Sequence, residues 1–93
     1  MKAKRFAVKR QKLGKLKAWG LSYSDEKTLY IDERLRGKKE LEIIIHEALH
    51  LLFPDLSEEK TIEKSVILTN TLWHQHYRKI DNSTDLPMQD GGK

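Results

Sequence analysis

The sequence predicts a small α+β domain in which a three-stranded antiparallel sheet packs on two helices. Before residue 33, short segments rich in β-branched and aromatic residues are separated by turn residues. After residue 33, two long segments show helical periodicity of their apolar residues. A chain of 93 residues has room for one domain with a small core, which we expect over residues 1–80.

Three strands are predicted, over residues 5–13, 17–24 and 28–32. Gly14 marks the turn after the first strand, and residues 24–27 form a tight turn before the third. Leu29 and Ile31 alternate with other residues and therefore share one face of the third strand. Because both connections are short, we expect an antiparallel meander.

The first helix is predicted over residues 38–52, between Gly37 and Pro54. Its apolar stripe consists of Leu41, Ile44, Ile45, Ala48, Leu49 and Leu52. His46 and His50 lie on the flank of that stripe, where a core histidine is not expected.

The second helix is predicted over residues 57–79, after a capping box formed by Asp55 and Glu58. Its apolar stripe consists of Ile62, Val66, Trp73, Tyr77 and Ile80, with Thr69 in register. Residues 81–93 are polar, contain Pro87 and end in Gly91-Gly92-Lys93, so we expect a disordered tail.

The segment His46-Glu47-Ala48-Leu49-His50 has the pattern HExxH on the first predicted helix. Two histidines four residues apart project from one helix face and can bind one Zn²⁺ at about 2.0–2.1 Å. Glu47 stands beside them, where it can take a proton from water without binding the metal. Two solvated histidines are the alternative, which the glutamate between them disfavours.

A third protein ligand is expected, because catalytic zinc usually has three. A metzincin would carry glycine at position 53 and histidine at position 56, whereas this chain has Phe53 and Leu56.

The second helix offers carboxylates as candidates for the third ligand. Glu58 and Glu59 lie in its first turn, where acidic residues favour the helix dipole. Glu63 lies at the edge of the apolar stripe, so it is the predicted ligand, with Glu59 as the alternative.

The HEALH segment, followed by a short turn and a carboxylate-bearing helix, resembles the gluzincins, which are HExxH-plus-Glu zinc metallopeptidases. In size the chain resembles their minimal members, the minigluzincins. The resemblance covers most of residues 18–80, including the strand predicted at Thr28-Leu29-Tyr30-Ile31-Asp32. After Glu63, the residues Lys64-Ser65-Val66 lack the Asn or Asp that often follows the ligand glutamate in this family.

The resemblance implies that His46, His50 and Glu63 bind one Zn²⁺ per chain and that Glu47 is the general base of peptide-bond hydrolysis. It also implies a peptide or protein substrate that pairs with an exposed sheet edge. A zinc-binding structural or regulatory module is a second reading, which Glu47 disfavours because a structural site needs no such carboxylate.

Several other side chains are candidates without an assigned role. Tyr23, Tyr77 and His74 could each stabilise an oxyanion. His74 and His76 do not suggest a second metal site, because residues two apart on a helix point to different faces.

The basic residues are concentrated at the N-terminus. The first 17 residues hold eight of the 18 Lys and Arg residues and none of the 14 acids. Such a segment can bind nucleic acid, and an accessory protein of this kind is a third reading. The lack of interleaved aromatic residues favours a different reading, in which the segment is a strand at the edge of the sheet. Its exposed lysines would then disfavour pairing of this edge with another chain.

The composition also bears on the cellular compartment. The sequence contains no cysteine, which excludes disulfides and thiolate zinc sites and suits the cytoplasm. We expect no signal peptide, because no apolar region follows the basic N-terminus, and no membrane span.

Overall fold

Residues 4–80 of the chain are described by a computed structural model. The elements are β1 Ala7–Gln11, β2 Gly20–Tyr23, β3 Thr28–Asp32, α1 Gly37–Leu52 and α2 Glu58–His74, with a 3₁₀ turn at Gly14–Leu16. The predicted α+β class is confirmed. The tail predicted over residues 81–93 lies outside the described residues. No helix within residues 4–80 combines the length and the apolar character that a membrane crossing requires.

The sheet is mixed, so the predicted antiparallel meander is wrong. β3 is the middle strand, with β2 antiparallel on one side and β1 parallel on the other. The physical reason lies in the connection from β1 to β2, residues 12–19, which is too long for a tight hairpin. It folds through the 3₁₀ turn and buries Leu13, and this path leads the chain past the end of β3 to its far side.

Asp32, at the end of β3, fixes this connection. The side chain is buried, and its carboxylate accepts hydrogen bonds from the Leu13 N–H at 3.1 Å and the Arg34 N–H at 2.9 Å. The Arg34 guanidinium adds bonds from Nε at 2.8 Å and Nη2 at 3.1 Å. The bonds from Arg34 and the Leu13 N–H hold the pKa of Asp32 well below its usual range, although burial acts in the opposite direction.

α1 lies between the sheet and α2, so it packs on two sides. Leu29, Ile31 and Leu35 form the buried core. The partly buried residues packed against them are Phe6, Val8, Ile43, Ile44, Ala48 and Leu51. A helix with neighbours on two sides needs apolar residues over most of its circumference, and the run of residues 41–45 in α1 meets that need at every position but Glu42.

α2 packs on the opposite side of α1 with a face that the sequence did not predict. Thr61, Ser65 and Thr69 are buried, whereas Ile62 and Val66 of the predicted stripe are 47% and 38% exposed. Small side chains at four-residue spacing let the backbones of two helices approach closely. On the α2 side, small polar residues therefore make the contact with α1, and the aliphatic residues Ile62, Val66, Ile67 and Leu68 face outwards.

The N-cap of α2 also differs from the predicted Asp55. Ser57 caps the helix, and its hydroxyl accepts a hydrogen bond from the Lys60 N–H at 3.2 Å. The Thr61 hydroxyl donates to the Ser57 carbonyl at 2.8 Å, so it is satisfied within its own helix. The start of α2 is thereby fixed at Glu58.

We expect Asp32→Asn to lower the melting temperature by several degrees at neutral pH, because an amide nitrogen would face N–H donors that now bind a carboxylate oxygen. Folding lowers the pKa of Asp32. Its stabilisation is therefore complete above the ordinary aspartate pKa of about 3.9 and is lost as the pH falls below that value. Thermal melts from neutral pH down to about pH 2.5 should show the gap between parent and variant closing in acid.

The matched control for this substitution is Asp25→Asn, in the exposed turn between β2 and β3. It should leave the melting temperature nearly unchanged. A gap between parent and Asp32→Asn that stayed constant across the pH range would contradict the role given to the carboxylate.

Candidate metal centre

His46 and His50 lie one turn apart on α1, as their spacing requires. Their Nε2 atoms are 3.1 Å apart, and the ring planes meet at 75°. Both side chains are partly buried. Two imidazole nitrogens therefore point at one small region of space beside the helix.

Glu58, the first residue of α2, completes the group. Its Oε1 lies 2.8 Å from His50 Nε2, and its Oε2 lies 3.2 Å from His46 Nε2. One ligand atom from each of these three residues lies within 4.8 Å of the other two. The group of His46, His50 and Glu58 could therefore hold a metal ion.

The structure does not bring Glu63 or Glu59 to the histidines. The Glu63 side chain is 59% exposed and lies 3.7 Å from Lys60 Nζ, and Glu59 is also exposed. A helix turns by about 100° per residue, which places both of them about 160° around α2 from Thr61. Thr61 faces α1, so both carboxylates point away from the candidate centre.

A signal for Glu58 was present in the sequence. Thr61, Ser65 and Thr69 recur every four residues, which is the spacing of a face that approaches another helix closely. Glu58 precedes Thr61 by three residues and so lies on the flank of the same face. The periodicity of the apolar residues does not identify Glu58, because it places the aliphatic stripe on the buried side of α2.

Glu47 lies beside the group but is not a member of it. The residue is buried, and it packs against β2. A Cβ atom at Gly20 would lie 2.8 Å from Glu47 Cγ and 2.8 Å from Ile43 Cγ2. Glycine at position 20 thus allows the strand to approach α1 at the glutamate.

The electrostatics of Glu47 follow from that position. Burial raises the pKa of its carboxyl above the usual value, while His46, His50 and a hydrogen bond with Ser22 act in the opposite direction. Ser22 and Gly20 both belong to β2, which is an edge strand of the sheet that residues 4–80 form. One edge of the sheet therefore runs beside Glu47.

The three oxyanion candidates lie away from this arrangement or in other contacts. Tyr23 packs edge-to-face on Tyr30, with ring centroids 5.4 Å apart, on the sheet face opposite Leu29 and α1. His74 ends α2, and sixteen residues of helix place it about 24 Å from Glu58. Tyr77 lines a cavity with residues of the first two turns of α1.

Comparison with known protein families, with curated proteins and with solved structures finds no match to this chain.

We expect Glu58→Ala to weaken the binding of a divalent ion such as Zn²⁺ by about tenfold or more, because it removes one of three donors. Glu63→Ala is the matched control, since it removes a carboxylate from the opposite face of α2, and it should change the affinity little. Competition titration against a chromogenic chelator gives the dissociation constants. A larger loss for Glu63→Ala than for Glu58→Ala would overturn the assignment.

A separate prediction about stability follows from the close contact at Gly20. Gly20→Ala should destabilise the fold by about 1–3 kcal/mol, because the methyl group would overlap Ile43 and Glu47. Gly14→Ala is the control: the nearest atom to its added Cβ would be Arg34 Nη2 at 3.5 Å, an ordinary contact. Urea denaturation of both variants tests this, and an equal effect of the two would contradict the packing described for Gly20.

Proposed function

We propose that this protein is a zinc-dependent peptidase. The observation that carries the proposal is the convergence of His46, His50 and Glu58 beside a buried carboxylate, Glu47, that is not one of the three. Metal ligands and a separate buried base are the two parts that metal-assisted hydrolysis requires. The resemblance of the HEALH segment to the gluzincins supports the same reaction, with Glu58 in the place that the sequence assigned to Glu63.

The donor set suits zinc. Two imidazoles and one carboxylate are a common ligand set of catalytic zinc sites. Donor atoms bound to a tetrahedral zinc at 2.0–2.1 Å lie about 3.4 Å from one another. The three donors here are separated by 2.8, 3.1 and 3.2 Å, so a small outward movement would seat one ion between them.

The group is also open on one side. The Glu58 side chain is 62% exposed, and within residues 4–80 the group has three members. Structural zinc sites are closed by four protein ligands, whereas catalytic sites keep one position free. Three ligands and an exposed side therefore favour catalysis over a purely structural role.

A bound Zn²⁺ would supply Lewis-acid chemistry, acidifying water and polarising a carbonyl group. Glu47 supplies the base that takes the proton of the attacking water and passes it to the leaving amine. Its close approach to Gly20 holds the carboxylate against the edge of the sheet. Burial raises the proton affinity of Glu47, which suits a group that must both accept and release a proton.

The substrate we propose is an extended peptide or an unfolded protein segment. β2 is an edge strand, and it runs beside Glu47. An extended chain that paired with the free side of β2 would lay its backbone across the ligand group. The cytoplasmic location inferred from the cysteine-free sequence stays a prediction.

Glu47→Gln should retain zinc and the melting temperature, because Glu47 is not a ligand and the amide has nearly the same shape. It should lower peptide cleavage by about 10²–10⁴-fold, because an amide cannot accept the proton. Mass spectrometry of an unstructured peptide library, incubated with zinc-loaded parent or variant, measures this. Equal cleavage by both proteins, or no cleavage by the zinc-loaded parent, would contradict the proposal.

A further inference from the structure

The cavity lined by Tyr77 lies at the other end of the helix pair from the His46–His50–Glu58 group. Its volume is about 730 Å³, and it opens between the first two turns of α1 and the residues that end and follow α2. This volume lies within the range of sites that hold one small ligand. Neither the ligand group nor Glu47 lines this cavity.

The walls of this cavity carry an excess of positive charge. Its charged lining residues are Arg10, Arg36, Arg78, Lys79, Glu33 and Glu40. Glu40 is buried and already accepts hydrogen bonds from Arg10 Nε at 3.0 Å and Arg10 Nη2 at 2.8 Å. Lys79 Nζ lies 3.7 Å from the same carboxylate oxygen. Glu40 thus holds two of the cations in place, and four cations against two acids leave the lining positive.

An aromatic surface adjoins these cations. The Arg78 guanidinium carbon lies 3.5 Å from the centroid of a Trp73 ring, and the Tyr77 side chain beside them is 65% exposed. Leu41 and Ile44 contribute partly buried apolar surface. Cations next to the exposed ring of Tyr77 match the two halves of a nucleotide, since phosphate binds arginine and lysine while a base stacks on an aromatic ring.

The basic N-terminal segment leads to this cavity. Residues 4–12 contain five bases and no acid, and all five are exposed. Arg10 belongs both to this segment and to the cavity lining. Phe6, the aromatic residue of the segment, packs against the core, so the aromatic surface near these bases comes from Trp73 and Tyr77, which line the same cavity as Arg10.

We propose that this cavity binds a nucleotide, with its phosphate on the arginine and lysine side chains and its base on the exposed ring of Tyr77, beside Trp73. The nucleotide can be a free one or one unit of a single strand of nucleic acid. The other exposed bases of residues 4–12 favour the single strand of nucleic acid, because they could neutralise further phosphates. This site does not depend on the proposed peptidase activity.

Trp73 can report on this binding directly. The sequence has two tryptophans, so Trp19→Phe leaves Trp73 as the sole indole fluorophore of the full-length chain. Titration with a dodecathymidylate strand should quench that fluorescence, and the affinity should fall steeply as salt rises. Thymidine monophosphate and inorganic phosphate are titrated in parallel. Tighter binding of the strand supports a nucleic acid ligand, and binding of the monophosphate as tight as that of the strand supports a free nucleotide.

Two pairs of variants separate this site from general charge attraction. Arg78→Gln should weaken strand binding by about tenfold, whereas Lys64→Gln, which removes the same charge from α2 away from the cavity, should have little effect. Tyr77→Leu should weaken it similarly, and Tyr23→Leu on the open sheet face should not. Absence of quenching by both the strand and the monophosphate, or equal losses within either pair of variants, would overturn the proposal.

Discussion

The packing of α1 on two sides is the constraint that determines where the sheet, α2 and the two histidines lie in this protein. The sheet covers one side of the helix at Ile43 and Ile44. α2 covers another side with its buried residues Thr61, Ser65 and Thr69. The flank left between these two contacts carries His46. The histidines are therefore held by a helix that cannot rotate without disturbing both neighbours, which is the rigidity that a preorganised site needs.

The contact between α1 and α2 depends on the size of its side chains more than on their polarity. Thr61 and Ser65 donate to carbonyl groups of their own helix, so neither hydroxyl joins the two helices. Among the described residues, Thr69 Oγ1 is buried without a hydrogen-bond partner. A buried hydroxyl without a hydrogen-bond partner lowers the free energy of unfolding by about 1–3 kcal/mol. The structure nevertheless has such a hydroxyl at this position, where a compact side chain keeps the two helices close.

Local patterns in the sequence were sufficient for the fold class and for several elements. The bounds of β3 match the predicted ones, because its alternation and its turn are both local. The strand order depends on a contact between Asp32 and Leu13, nineteen positions apart, which no local pattern encodes. The third member of the ligand group was missed because periodicity identifies the most apolar face of a helix, and in α2 that face is not the one that meets α1.

Dividing the candidate ligands between two helices has a thermodynamic consequence. Two of them belong to α1, and Glu58 belongs to the first turn of α2, a helix held mainly by contacts with α1. An ion shared by both would act as a cross-link, and the free energy of binding it would include the free energy of helix association. Opening of the helix pair and release of the ion would then be one equilibrium, so the ambient metal concentration would set how often α2 separates from the rest of the chain.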